Sequence, residues 1–108
     1  MERTIKPELL KTQLANTLLL DVRRPSDYAA SGEIIPGSVW KNPEQLDTWL
    51  PELPRDRAVV IYCARGGSVS NSVLDRLQSV NVKARFVEGG IEAWKAAGGA
   101  VISSAGRA

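Results

Sequence analysis

The chain's single cysteine, Cys63, stands where the apolar run Val59-Val60-Ile61-Tyr62 gives way to Ala64-Arg65-Gly66-Gly67-Ser68. Beyond it Val69, Val73, Leu74, Leu77 and Val80 recur with the period of a helix that has one apolar face. A strand that ends in a glycine-rich turn and opens a helix points a row of backbone N–H groups into one small concavity. Such a cradle, together with the helix dipole, holds anions and favours a thiolate. A structural cysteine sits more comfortably inside the strand or on the buried helix face. Cys63 is therefore the candidate nucleophile, and a small buried hydrophobe at a strand end is the alternative.

The sequence has no histidine. That removes the usual general base, most zinc-site designs and every Ser-His or Cys-His dyad. Activation of Cys63 must then come from backbone dipoles and cationic neighbours. Arg65, two residues on, is the better candidate for binding an anionic substrate beside the sulfur; a solvated surface arginine is its alternative. Gly66 and Gly67 are expected to supply positive φ or a close backbone approach. Asp21 and Arg23 fall at another strand end. Either they pair and hold the shape of their loop, or Arg23 adds positive field at the mouth of the site. Glu88 also follows a strand and is expected to accept hydrogen bonds from the Cys63 loop. Trp40, Trp49 and Trp94 read as packing residues, with Trp94 seating a helix on the sheet and Trp40 at the rim of the site.

The elements that must position these residues are legible in outline. Leu18 to Val22, Val59 to Tyr62 and Ala84 to Val87 read as buried strands, with shorter ones near Thr4-Ile5 and Ser38 to Trp40. Helices are predicted over Pro7 to Ala15, Pro25 to Ala30 ending at Gly32, Pro43 to Leu50 halted by Pro51, Ser68 to Gln78, and Ile91 to Ala97. Alternation of strands and helices with short connections predicts an α/β fold, mainly a parallel five-stranded sheet with helices on both faces. Ligands of such sheets bind beyond the carboxyl ends of the strands. The Asp21–Arg24, Cys63 and Glu88–Gly90 loops would all gather there.

A chain of 108 residues, 44% hydrophobic and 24% charged, reads as one globular domain, taken as residues 1–102 with a flexible tail at 103–108. A formal net charge of +2 with scattered lysines and arginines argues against nucleic acid as a partner. No apolar run approaches a membrane span, and the start Met1-Glu2-Arg3-Thr4-Ile5-Lys6-Pro7 has no apolar signal core. One cysteine forms no internal disulfide, so cytoplasm is the expected location.

Four blocks in order resemble the rhodanese family of sulfurtransferase domains. They are Leu19-Leu20-Asp21-Val22-Arg23 with Asp27-Tyr28; Ile35-Pro36-Gly37-Ser38; the loop Val60 to Ser68; and Glu88-Gly89-Gly90-Ile91-Glu92-Ala93-Trp94. The resemblance spans about Leu18 to Val101. It implies a single rhodanese-like domain in which Cys63 takes the outer sulfur of thiosulfate or a similar donor as a persulfide. Arg65, Gly66, Gly67, Ser68 and Val69 would bind the donor, with Asp21, Arg23 and Glu88 in support and with no metal or cofactor. A thiol or cyanide accepts the sulfur, and a sulfur-accepting protein is a further candidate partner. A non-catalytic rhodanese-like binding or regulatory module is the alternative.

Two departures from the family pattern stand out. Many members carry a second arginine late in the loop, where this chain has Ser68 followed by Val69, and Gly32-Glu33-Ile34-Ile35 replaces the usual Gly-His in a longer rim loop. Cysteine phosphatases on this fold carry a Cys-x5-Arg loop, and the position of that arginine is taken here by Val69. Hydrolysis of phosphate esters and reduction of arsenate are not expected of it.

Overall fold

The computed structural model describes residues 3–65 and 67–103. In chain order they form β1 (Thr4–Ile5), α1 (Pro7–Gln13), β2 (Leu18–Asp21), α2 (Pro25–Ser31), β3 (Glu33–Ile34), β4 (Val39–Trp40), α3 (Leu46–Trp49), β5 (Val59–Tyr62), α4 (Ser68–Ser79), β6 (Ala84–Val87), α5 (Gly90–Ala96) and β7 (Ile102–Ser103). Short 3-10 turns continue α1 and flank α3. β1, β6, β5, β2 and β4 lie side by side in that order as a parallel five-stranded sheet, as the alternating pattern predicts.

Period-two alternation along β5 explains how one short strand holds two layers. Val59 and Ile61 point to one face, into a core with Leu20, Trp49, Leu50, Val73, Leu74, Leu77 and Phe86, which brings α3 and α4 onto that side. Val60 and Tyr62 point to the other, into a core with Leu10, Leu19, Ile35, Ile91 and Trp94, which seats α1 and α5. All four residues of β5 are buried, the expected state of the central strand of a covered parallel sheet. Trp94 is buried in this second core, and its indole N–H donates to the Ala100 carbonyl at 2.8 Å.

One feature escapes a reading by periodicity. β3 and β7 pair antiparallel, Glu33 opposite Ser103 and Ile34 opposite Ile102. The longer rim loop is thus tied down by the end of the chain, and the Lys95 ammonium bonds the Glu33 carboxylate at 2.7 Å beside it. Ser103, assigned to the tail from sequence, belongs to this pair, and the rest of that tail lies outside the described residues. Among the described residues no helix is long and apolar enough to cross a membrane.

Candidate active site

Parallel register lines up the carboxyl ends of the strands. Asp21 sits opposite both Tyr62 and Trp40, and Ile5 opposite Val87. Cys63 follows Tyr62 directly, so it emerges from the central strand of the sheet at the edge where the predicted loops meet. The Val22 N–H donates to the Tyr62 carbonyl at 2.9 Å, which ties the Asp21–Arg24 loop to the base of the Cys63 loop. From the other side the first turn of α5 closes in. Ile91 N–H donates to the Cys63 carbonyl at 3.0 Å and Glu92 N–H to the Ala64 carbonyl at 3.2 Å. Cys63 is buried, with 6% of the residue exposed.

Gly90 makes that closure possible. Its φ is +65°, and a Cβ there would lie 2.5 Å from the Cys63 carbonyl oxygen and 2.6 Å from the Arg65 nitrogen, both rigid backbone atoms. Gly90→Ala should therefore cost about 1–3 kcal/mol from the left-handed backbone alone, with the collision added to it. A fall in the urea midpoint at unchanged slope would show it, and a wild-type midpoint would mean that this contact carries nothing.

Beneath the loop lies a buried polar network. The Arg23 guanidinium grips the Asp21 carboxylate, Nε at 3.0 Å from Oδ1 and Nη2 at 2.7 Å from Oδ2. Nη2 also donates to the Glu33 carbonyl at 2.8 Å, which anchors the rim strand β3. Tyr62 Oη donates to Asp21 Oδ2 at 3.1 Å, accepts from the Ile35 N–H at 3.2 Å and lies 3.0 Å from Ser38 Oγ. Trp40 Nε1 donates to the Arg23 carbonyl at 2.9 Å, and its ring stacks on Tyr28. Burial works against the charged guanidinium of Arg23, but the Asp21 carboxylate more than offsets it and holds the group above its usual value. Arg23 is 2% exposed and its guanidinium is paired with the Asp21 carboxylate and the Glu33 carbonyl, which is the first of the two readings. Trp40 is occupied in the same network rather than lining the rim of the site.

Burial, with the nearby Asp21 charge, also pushes the Tyr62 phenol up to about 12 from 10.0. The folded state then binds that proton more tightly than the unfolded chain does. The resulting stability is complete below pH 10.0 and is lost as pH rises towards about 12. Across that window the unfolding free energy should fall by about 2–3 kcal/mol more in the wild type than in Tyr62→Phe. Urea titrations of both proteins between those limits would measure the difference, and equal slopes would remove Tyr62 as the cause.

The remaining predicted residues divide. Arg65 is exposed and forms no ion pair or side-chain hydrogen bond with any described residue, leaving its guanidinium open to an anion. Gly66 lies outside the described residues. Gly67 has φ −91° and a Cβ there would meet nothing within 4 Å, so it supplies neither positive φ nor close approach; it caps the start of α4 instead. Ser68 and Val69 open α4, whose first backbone N–H groups have no partner within the helix, and both line a cleft beside the loop. Among the described residues Glu88 makes no hydrogen bond to the loop. It is exposed, faces grooves it shares with Lys6, and its carboxylate accepts no hydrogen bond among the described residues. The link it was expected to make is made by the α5 backbone.

Tyr62, Ser38 and Gly90 are site-shaping residues that sequence reasoning missed. Tyr62 passes for one more apolar residue of a buried strand until its hydroxyl is seen. Ser70, in the first turn of α4, is fully buried with its hydroxyl unpartnered. Among the described residues no cluster of His, Cys, Asp and Glu side chains could hold a metal ion.

Comparison with known proteins agrees with this geometry. The family model for the rhodanese-like domain matches residues 6–97. A sulfurtransferase from Allochromatium vinosum is 30% identical over 109 aligned positions, covering 98% of this chain and 100% of that one. Among solved structures, a rhodanese-related protein from Thermoplasma volcanium superposes with a TM-score of 0.82 at 27% identity, over 93% of this chain and 97% of that one. A thiosulfate sulfurtransferase from Pseudomonas aeruginosa superposes with a TM-score of 0.77 at 27% identity, over 95% of this chain and 20% of that one.

Proposed function

Because the chain belongs to the rhodanese-like domain family, we propose that it moves a sulfane sulfur from thiosulfate or a similar donor to a thiophilic acceptor through a persulfide on Cys63. The observation that carries this is the position of Cys63: past the end of the central strand, before the N-terminus of α4, and two residues before Arg65, an exposed cation with no ion-pair partner among the described residues. The Cys63 thiolate attacks the outer sulfur of the donor. A new S–S bond forms at Cys63, the S–S bond of thiosulfate breaks, and its electron pair leaves with sulfite. An acceptor nucleophile then attacks the outer sulfur and returns the bonding pair to Cys63. Donor, persulfide and leaving group are all anionic. Oriented backbone N–H groups and Arg65 suit each of them without rearrangement. Val69 offers no bidentate grip on a phosphoryl group, which favours sulfur chemistry over phosphate chemistry.

Intact mass spectrometry after incubation with thiosulfate tests the proposal. The expected result is the added mass of one sulfur atom on Cys63, persisting after the donor is removed and discharged by cyanide or a small thiol. No second cysteine exists to displace it internally. Failure to gain the sulfur would return the chain to the non-catalytic binding reading.

A further inference from the structure

Beside the Cys63 loop lies a cleft of about 340 Å³, bounded by Ser68, Val69 and Ser72 on α4, by Leu46 and Glu44 on the segment before β5, and by Arg24. Its volume falls within the range of small-molecule sites, and is more than an inorganic donor such as thiosulfate needs. Three charged side chains line it. Arg76 is neutralised by an ion pair with Asp47. Arg24 and Glu44 are both exposed, and neither side chain pairs with the other or with any other described residue. An unpaired cation and an unpaired anion therefore share one cavity with an apolar wall. The cleft adjoins the Cys63 loop through residues at both of its sides. Arg24 stands two residues past Val22, which is bonded to Tyr62, and Ser68 stands five past Cys63.

We propose that this cleft selects the sulfur acceptor and that the acceptor is a zwitterionic amino-acid thiol, its carboxylate paired with Arg24 and its ammonium with Glu44. The inference rests on the sulfur-transfer reading above. The acceptor thiolate attacks the outer sulfur of the Cys63 persulfide, forming a new S–S bond. The bond from that sulfur to Cys63 breaks, and its electron pair returns to Cys63 as thiolate. The acceptor leaves as its own persulfide, its thiol proton having gone to solvent, and no oxidant or reductant is consumed. Two anions meet in this step. A ligand whose charges are matched by the walls relieves the repulsion that an unanchored thiolate meets.

The test is single turnover on protein preloaded from thiosulfate and freed of donor. Discharge is followed by intact mass with L-cysteine, 3-mercaptopropionate, cysteamine and 2-mercaptoethanol at equal thiolate concentrations. L-Cysteine should discharge the sulfur about tenfold faster than 2-mercaptoethanol, a preference shared between its two ion pairs. Arg24→Gln should erase the advantage of 3-mercaptopropionate and reduce that of L-cysteine, and Glu44→Gln should erase that of cysteamine and reduce that of L-cysteine. Equal rates for all four thiols, or ratios that neither substitution moves, would overturn the proposal. A failure of sulfur transfer itself shows earlier and separately, as protein that takes up no sulfur before any acceptor is added.

Discussion

Cys63→Ser is expected to take up no sulfur from thiosulfate and to form thiocyanate from cyanide at least about a thousandfold more slowly than the wild type. Serine is close to the size of cysteine, and the site needs no change of backbone to hold it. Its hydroxyl, however, is a weak nucleophile at neutral pH without an adjacent base, and the chain contains no histidine to serve as one. The backbone bonds at Cys63 come from its carbonyl, which the substitution leaves in place. Thiocyanate assay and intact mass, with urea unfolding to show an intact fold, check the expectation. Turnover within tenfold of wild type in a folded Cys63→Ser protein would overturn the persulfide mechanism.

Arg23→Met is expected to be the most damaging single substitution for stability. It leaves the Asp21 carboxylate, itself 0% exposed, without its counter-ion. Breaking a buried pair by removing one partner costs roughly 3–5 kcal/mol, a large share of the 5–15 typical of a whole domain. Adding Asp21→Asn should recover part of the loss, because the stranded charge disappears. By contrast the Arg76–Asp47 pair has side chains 51% and 81% exposed, and its removal should cost no more than about 1 kcal/mol. Urea unfolding of the single variants, the double variant and Arg76→Gln orders these effects. Equal losses at the two sites would refute the argument from burial.

The sequence made the sheet legible because its central strands carry their own signal: Leu18–Asp21, Val59–Tyr62 and Ala84–Val87 are apolar runs bounded by polar turns. Cys63 was legible for the same reason, as a break in such a run before a helical period. The pair β3–β7 was not, since each strand has two residues and Ile34 meets Ile102 only through the closed fold. Nor was the true support of the loop. Glu88 lines grooves shared with Lys6 and accepts no hydrogen bond among the described residues, whereas Gly90, with no side chain at all, decides how closely α5 approaches Cys63. Gly67 was misjudged in the opposite sense, because a glycine beside a helix start looks conformationally demanding when only its neighbours require room. Asp21 and Arg23 were read as alternatives between support and field, and burial decides for support.

The order of the strands has a kinetic consequence. β5, which delivers Cys63, is flanked by β2 and β6, and its partnership with β2 must close a chain segment of some forty residues, Leu18 pairing with Val59. Parallel neighbours need such long crossovers, and loop closure must come before their contacts repay it, so sheets of this kind form later than local helices. The thiol's surroundings are assembled from three distant segments: the β2 end, the β5–α4 turn and the first turn of α5. Cys63 is enclosed only once all three have docked. The burial of Cys63 therefore waits on the docking of segments far apart in the chain.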